Sequence, residues 1–164
     1  MIESSRFRSA MSRLGAAVNI ITTDGAAGRH GMTASAVCSV TDEPASLLVC
    51  INRSSKMNEA IGRNGVLCVN VLSGGHEELS GRFASKALTT AERFAGAEWD
   101  VLDNGAPALV GALCSLGCIV ESVQIVGTHS IIVGRVTDLR SAEGGDGLIY
   151  FGRAYHRLSS AAYA

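Results

Sequence analysis

Three short stretches carry side chains that could do chemistry, and each also has a plain structural reading. In Thr33-Ala34-Ser35-Ala36-Val37-Cys38-Ser39-Val40, hydroxyls and alanines alternate where a core strand normally carries bulky residues. Small side chains let another molecule approach the backbone, and a flat aromatic ligand needs such a surface with hydroxyls for its polar edge. A tightly packed strand explains the same residues. Asn52-Arg53-Ser54-Ser55 stands where a strand hands over to a helix, so backbone N–H groups, hydroxyls and the positive end of a helix dipole converge there, as phosphate requires. An ordinary serine cap accounts for it equally. Arg82-Phe83 could add a cation to that phosphate or be a solvated arginine beside a core aromatic. His129, in Gly127-Thr128-His129 at the start of an apolar strand, is either a hydrogen-bonded structural histidine or a catalytic one.

Other chemistries lack support. Gly25, Gly28 and Gly31 follow a strand, but a dinucleotide fingerprint must open a helix, and Gly31 leads into strand-like sequence. The five cysteines contain no C-x-x-C pair and sit in apolar runs, so they read as small buried hydrophobes. Cys114 and Cys118, four residues apart on a strand, are too distant for a disulfide, and no metal site is expected. A net charge of -1 gives no electrostatic case for nucleic acid. Without a long apolar stretch or a signal-like start, a soluble cytoplasmic protein with no membrane association is expected.

The elements that must position these residues are mostly strands. Apolar spacing predicts a helix over 7–14, then strands over 17–23, 32–40 and 47–52 in an antiparallel meander. A serine-capped helix over 56–63 precedes a strand at 66–72, and helices follow at 77–84 and 91–94, the latter with a capping box led by Thr89. Strands return at 112–125, 128–139, 148–151 and 155–158. With 47% hydrophobic residues and no linker, 1–164 reads as one domain able to bury roughly 70% of the surface that its unfolded chain exposes. Six or seven strands with few helices argue for a closed barrel, with a sandwich as the alternative.

Taken in order, Gly15-Ala16-Ala17-Val18-Asn19-Ile20-Ile21-Thr22-Thr23-Asp24-Gly25, the 33–40 run, Asn52-Arg53-Ser54-Ser55, Gly127-Thr128-His129 and Gly147-Leu148-Ile149-Tyr150-Phe151 resemble the short flavin reductases that feed two-component monooxygenases. The resemblance implies an FMN-binding split β-barrel, mainly β, antiparallel and Greek-key-like with a few short helices, assembled as a homodimer with flavin near the interface. It implies hydride transfer from NADH or NADPH to FMN or FAD, the reduced flavin going to a partner monooxygenase. By position, Thr33, Ala34, Ser35, Ala36, Ser39 and Val40 would line the isoalloxazine. Asn52, Ser54 and Ser55 would surround the ribityl phosphate with Arg82 and Phe83 beside it, and Asn70 and Leu72 would lie at the pyrimidine side of the ring. His129, the catalytic candidate, and Tyr155 would meet the nicotinamide. Thr128 departs from the acidic residue of many relatives, a variation shared with reductases of 4-hydroxyphenylacetate and pyrimidine monooxygenase systems. Reduction of a corrinoid or other acceptor, and a non-catalytic flavin or haem module, are the alternatives that the fold allows.

Overall fold

The computed structural model describes residues 1–159. A helix, α1 (Ser4–Met11), precedes the strands β1 (Ala16–Ala17), β2 (Asn19–Thr23), β3 (His30–Ala34), β4 (Val37–Asp42) and β5 (Ala45–Asn52). Then come α2 (Lys56–Asn64), β6 (Val66–Val71), α3 (Glu77–Ala84), α4 (Thr90–Phe94), β7 (Trp99–Val101) and β8 (Pro107–Leu109). The chain continues through β9 (Cys114–Val126), β10 (His129–Ser141), β11 (Gly147–Phe151) and β12 (Ala154–Leu158). Seven strands form one antiparallel sheet in the order β3-β2-β6-β9-β10-β5-β4; β1, β11 and β12 form a second sheet, and β7 with β8 a third.

The expected meander is corrected. The strand expected over 32–40 breaks after Ala34, and its two halves lie on opposite edges of the seven-stranded sheet, joined only through Ser35 and Ala36. The sheet therefore curls until its edges meet at that two-residue crossing, but no strand pairing links β3 to β4 among the described residues. This makes the barrel split. Its interior draws side chains from all seven strands, among them Ile21, Met32, Val37, Val49, Val69, Cys118 and Ile132, with Met57 and Ile61 of α2 packed among them. One core shared by every strand excludes the sandwich. A second core lies outside the barrel wall, where Ile20 and Leu72 meet Leu79 and Phe83 of α3, Phe94 of α4 and Leu148 of β11. Both faces of β2 are thereby covered, and all five of its residues are buried.

Local chemistry sets the helix ends. Ser55 accepts from the Asn58 N–H at 3.2 Å and Gly65 closes α2 at φ 71°, a left-handed position that glycine adopts without a Cβ penalty. Thr89 and Glu92 make the expected capping box. Differences from expectation are informative. The first helix lies earlier than expected and buries no residue, leaving Phe7, Met11 and Leu14 exposed. Both β7 and β8 went unforeseen because three-residue strands carry too few positions for an alternation to show. Of the cysteines, Cys68 and Cys118 are buried, Cys50 and Cys114 half-buried, and Cys38 exposed on an edge strand. Burial pushes the Cys68 and Cys118 thiols up to about 12, so neither is a thiolate nucleophile near neutrality.

Candidate functional site

A groove runs along β3 between the barrel and α3. One end is a cavity of about 500 Å³ bounded by Thr33, Ser55, Lys56, Phe83, Lys86 and Arg93. The other is a cavity of about 240 Å³ walled by Val18, Ala34, Ser35, Tyr150 and Tyr155. Thr33 and Ala84 line both, so the two spaces adjoin. The small residues at 33–35 form its floor. The strand side chains there are short, and the backbone leaves the ladder at Ser35, where the barrel crosses from one edge to the other.

Separate hydrogen bonds fix the floor to its walls. Thr33 donates to the Ser80 carbonyl at 2.6 Å, and the Ser80 hydroxyl lies 2.9 Å from that of Tyr155. Asn19 donates to the Ala34 carbonyl at 3.2 Å and to the Ala17 carbonyl at 3.1 Å, tying β2 to the floor strand just before the crossing. Tyr150 and Tyr155 meet edge to face with centroids 5.4 Å apart, an aromatic wall with hydroxyl tips.

The two ends differ in electrostatics. At the 500 Å³ end the N-terminus of α2 brings its positive dipole end, and Lys56, Lys86 and Arg93 add three cations with no carboxylate among the lining residues. Arg93 is held by the Gly31 carbonyl at 3.1 Å and the Ser85 carbonyl at 2.6 Å, so its charge is fixed rather than free-swinging. Phosphate suits this end. A flat ring suits the floor and the tyrosine wall.

Of the residues singled out from sequence, the structure brings Thr33, Ala34, Ser35, Ser55, Phe83 and Tyr155 into this groove. Asn52, Ser54 and His129 gather beside its cationic end. The Asn52 side-chain oxygen accepts from the Ser54 N–H at 2.9 Å and hydroxyl at 2.8 Å, His129 is registered opposite Asn52, and the Arg53 N–H donates to the Thr128 carbonyl at 3.0 Å. His129 is exposed there, its Nδ1 3.0 Å from the Thr128 hydroxyl. Ala36 is the second residue of the crossing, and Ser39 and Val40 lie past it on the other sheet edge; all three are exposed.

Three expected positions are corrected. Arg82 precedes Phe83 on α3 and so points about 100° away from it; it donates to the Glu92 carbonyl and lines a separate cavity of about 390 Å³ with His76 and Glu98. Leu72 is wholly buried in the outer core. Asn70 is equally buried and fully used within the protein: its amide donates to the Ile20 carbonyl and Thr22 hydroxyl, and its oxygen accepts from the Leu109 N–H and the Ser115 hydroxyl. A buried amide at 0% exposure with all these partners is a structural clamp. Sequence reasoning missed Lys56, Lys86, Arg93, Ser80, Asn19 and Tyr150. Lys56 alone had a signal, since it directly follows the phosphate-type Asn-Arg-Ser-Ser stretch.

A barrel split at a floor of small residues, with a cationic pocket at one end and tyrosines at the other, is the frame of a protein that holds a phosphorylated flat ring. Residues 11–159 match the flavin reductase like domain, and the chain belongs to that family. It is 53% identical over 94% of its length to the FMN reductase (NADH) RutF of Pseudomonas syringae pv. syringae, covering 86% of that protein. It is 52% identical over 93% of its length to the 4-hydroxyphenylacetate 3-monooxygenase reductase component of Pseudomonas aeruginosa, covering 90% of it. A solved structure from Haemophilus somnus assigned as a flavin reductase superposes with a TM-score of 0.93 at 43% identity, over 96% of this chain and 100% of that one.

Proposed function

We propose that this chain is an NADH-dependent flavin reductase that reduces FMN and passes it to a flavin-dependent monooxygenase. The observation that carries the reading is the pair of adjoining cavities along β3, cationic at one end and flat and aromatic at the other, in a chain more than half identical to an FMN reductase (NADH). When both are bound, the nicotinamide gives a hydride, two electrons with one proton, to N5 of the flavin, and solvent supplies the proton that completes reduction. The protein's share is orientation. Lys56, Lys86, Arg93 and the Ser55 turn hold the phosphate, Thr33, Ala34 and Ser35 support the ring, and the tyrosine wall leaves one ring face for the donor. Relatives that serve 4-hydroxyphenylacetate oxygenation support a monooxygenase as the recipient.

The reading includes a homodimer working in the cytoplasm. Val123 and Ile125, on one face of β9 beyond the end of its pairing with β6, stand 49% and 59% exposed, an apolar strip that a second copy would cover. Such pairing would bring the hairpin tip carrying His129 to the nicotinamide side of a groove. NADH oxidation followed with and without added FMN tests the activity: turnover is expected only with flavin, and flavin-independent turnover would overturn it. Sedimentation is expected to give a dimer, and a flavin-loaded monomer would remove the dimer from the reading.

A further inference from the structure

Next to the tyrosine wall lies a third space, about 620 Å³, between α1 and the β11–β12 turn, lined by Arg8, Met11, Ser12, Ser35, Tyr150 and Arg153 among others. Ser35 and Tyr150 belong to the flavin groove as well, so this space opens from the ring end, opposite the cationic pocket. Its lining holds two guanidinium groups and no carboxylate, and neither arginine has an acidic partner among the described residues.

Each arginine alone has a bland explanation. Arg8 is in the last turn of α1, where a cation complements the helix dipole. That does not explain Arg153. It occupies the second position of a two-residue hairpin turn with φ 67°, after Gly152 with φ 59°, a place that normally goes to glycine, asparagine or aspartate. The turn is also tied to the helix, because the Gly152 N–H donates to the Ser12 carbonyl at 2.8 Å. That bond brings the C-terminal end of α1, with Arg8, against the turn that carries Arg153. The helix buries no side chain, so its apolar face leaves this space unfilled.

We infer that this cavity receives the pyrophosphate-bearing half of the nicotinamide dinucleotide, with Arg8 and Arg153 as its phosphate ligands. The inference rests on the flavin reductase reading, and the direction of the groove selects the ligand. If the flavin phosphate sits at the Ser55 end, every phosphate of FMN or FAD leaves the ring on that side. An anion beyond the tyrosine wall then belongs to the hydride donor. A volume of 620 Å³ lies within the roughly 300–1,000 Å³ range of small-molecule sites. Guanidinium groups recognise phosphate by paired, charge-assisted hydrogen bonds, which explains how a protein with no dinucleotide-fold motif could hold NADH.

The test uses Arg8→Ala, Arg153→Gly and the double variant, glycine being chosen because it keeps the left-handed turn. Initial rates are measured with NADH and with 1-benzyl-1,4-dihydronicotinamide, a hydride donor without phosphate. The KM for NADH should rise about tenfold in each single variant and about a hundredfold in the double, with kcat within about twofold. The KM for the benzyl donor, and FMN and FAD affinities, should not move. Arg153→Lys should recover part of the loss. An NADH KM within twofold of wild type in the double variant, or an equal rise for both donors, overturns the inference. A loss of FAD affinity in place of NADH affinity does so too, by giving the cavity to the flavin. Wild-type protein that reduces flavin with neither donor overturns the flavin reductase reading itself, and the inference with it.

Discussion

Ser55 has two possible employers, and replacing it in two ways separates them. Its hydroxyl accepts from the Asn58 N–H at 3.2 Å, which caps α2, donates to the Asn52 carbonyl at 2.8 Å, a bond that it would exchange for one to phosphate, and lines the cationic pocket. Ser55→Ala removes both contributions. Loss of the cap costs about 1 kcal/mol of stability, and in a chain of this size that lowers Tm by about 2–4 °C. Loss of a hydrogen bond to a charged phosphate is worth about 1.5–3 kcal/mol, a ten- to hundredfold weaker FMN affinity. Riboflavin, which has no phosphate, should bind as before. Ser55→Asp restores the cap, since aspartate is among the best N-cap residues, but sets a carboxylate against the phosphate. Thermal melts should therefore recover the part due to the cap, but not the bond that the hydroxyl donates to the Asn52 carbonyl, while FMN binding falls below that of Ser55→Ala. Flavin fluorescence titrations with FMN and riboflavin give both affinities. Wild-type FMN affinity in Ser55→Asp, or equal losses of FMN and riboflavin in Ser55→Ala, would show that the serine only caps the helix and that the phosphate lies elsewhere.

Because His129 is exposed and its side chain bonds, among the described residues, only to Thr128, His129→Ala should change stability by less than about 0.5 kcal/mol yet slow flavin bleaching by NADH in anaerobic stopped flow, by up to about a hundredfold. An unchanged limiting rate would remove it from the site. Gly31→Ala places a Cβ 2.5 Å from the Phe83 ring and 3.1 Å from that of Phe94, so denaturant melts should show a loss of about 1–3 kcal/mol. Burial holds the His76 imidazole below its ordinary value of 6.5, favouring the neutral ring that accepts from the Ser73 N–H. The unfolded chain therefore takes up the proton first as pH drops below 6.5, and stability should fall from there until the folded form also protonates. In His76→Asn, which cannot titrate, melting midpoints between pH 7 and 5 should lose that part of the slope, and an unchanged slope would assign it elsewhere.

What sequence revealed and what it hid divide along physical lines. Strands with strong periodicity and helices with caps were legible because their signals are local: Ser55, Gly65 and the Thr89–Glu92 pair each act within one turn. The floor at 33–35 was legible because small residues in an apolar run are anomalous. The meander was misread because β3 and β4 are adjacent in sequence but lie at opposite sheet edges, and the alternation of side chains carries no record of which strand pairs with which. Arg82 was expected beside the groove and Arg93 lines it instead, for a related reason. A helix turns about 100° per residue, so which arginine of two short helices faces the pocket depends on how the helices dock. Asn70 was misread because a polar residue on a buried strand looks the same whether it clamps β8 and β9 or faces a ligand.

The pairing order also bears on how the chain is made. β5 spends one side on β4, its immediate neighbour, but its other side must wait for β10, whose residues lie about 80 positions further along. At about 5–20 residues per second, a ribosome needs about 4–16 s to deliver that partner. Through that interval β5, among the most apolar segments of the protein, presents an open hydrogen-bonding edge, and the barrel interior has no far wall. Productive synthesis therefore depends on keeping nascent chains apart over those seconds. Chains that stop short of β10 should be aggregation-prone fragments rather than smaller working barrels.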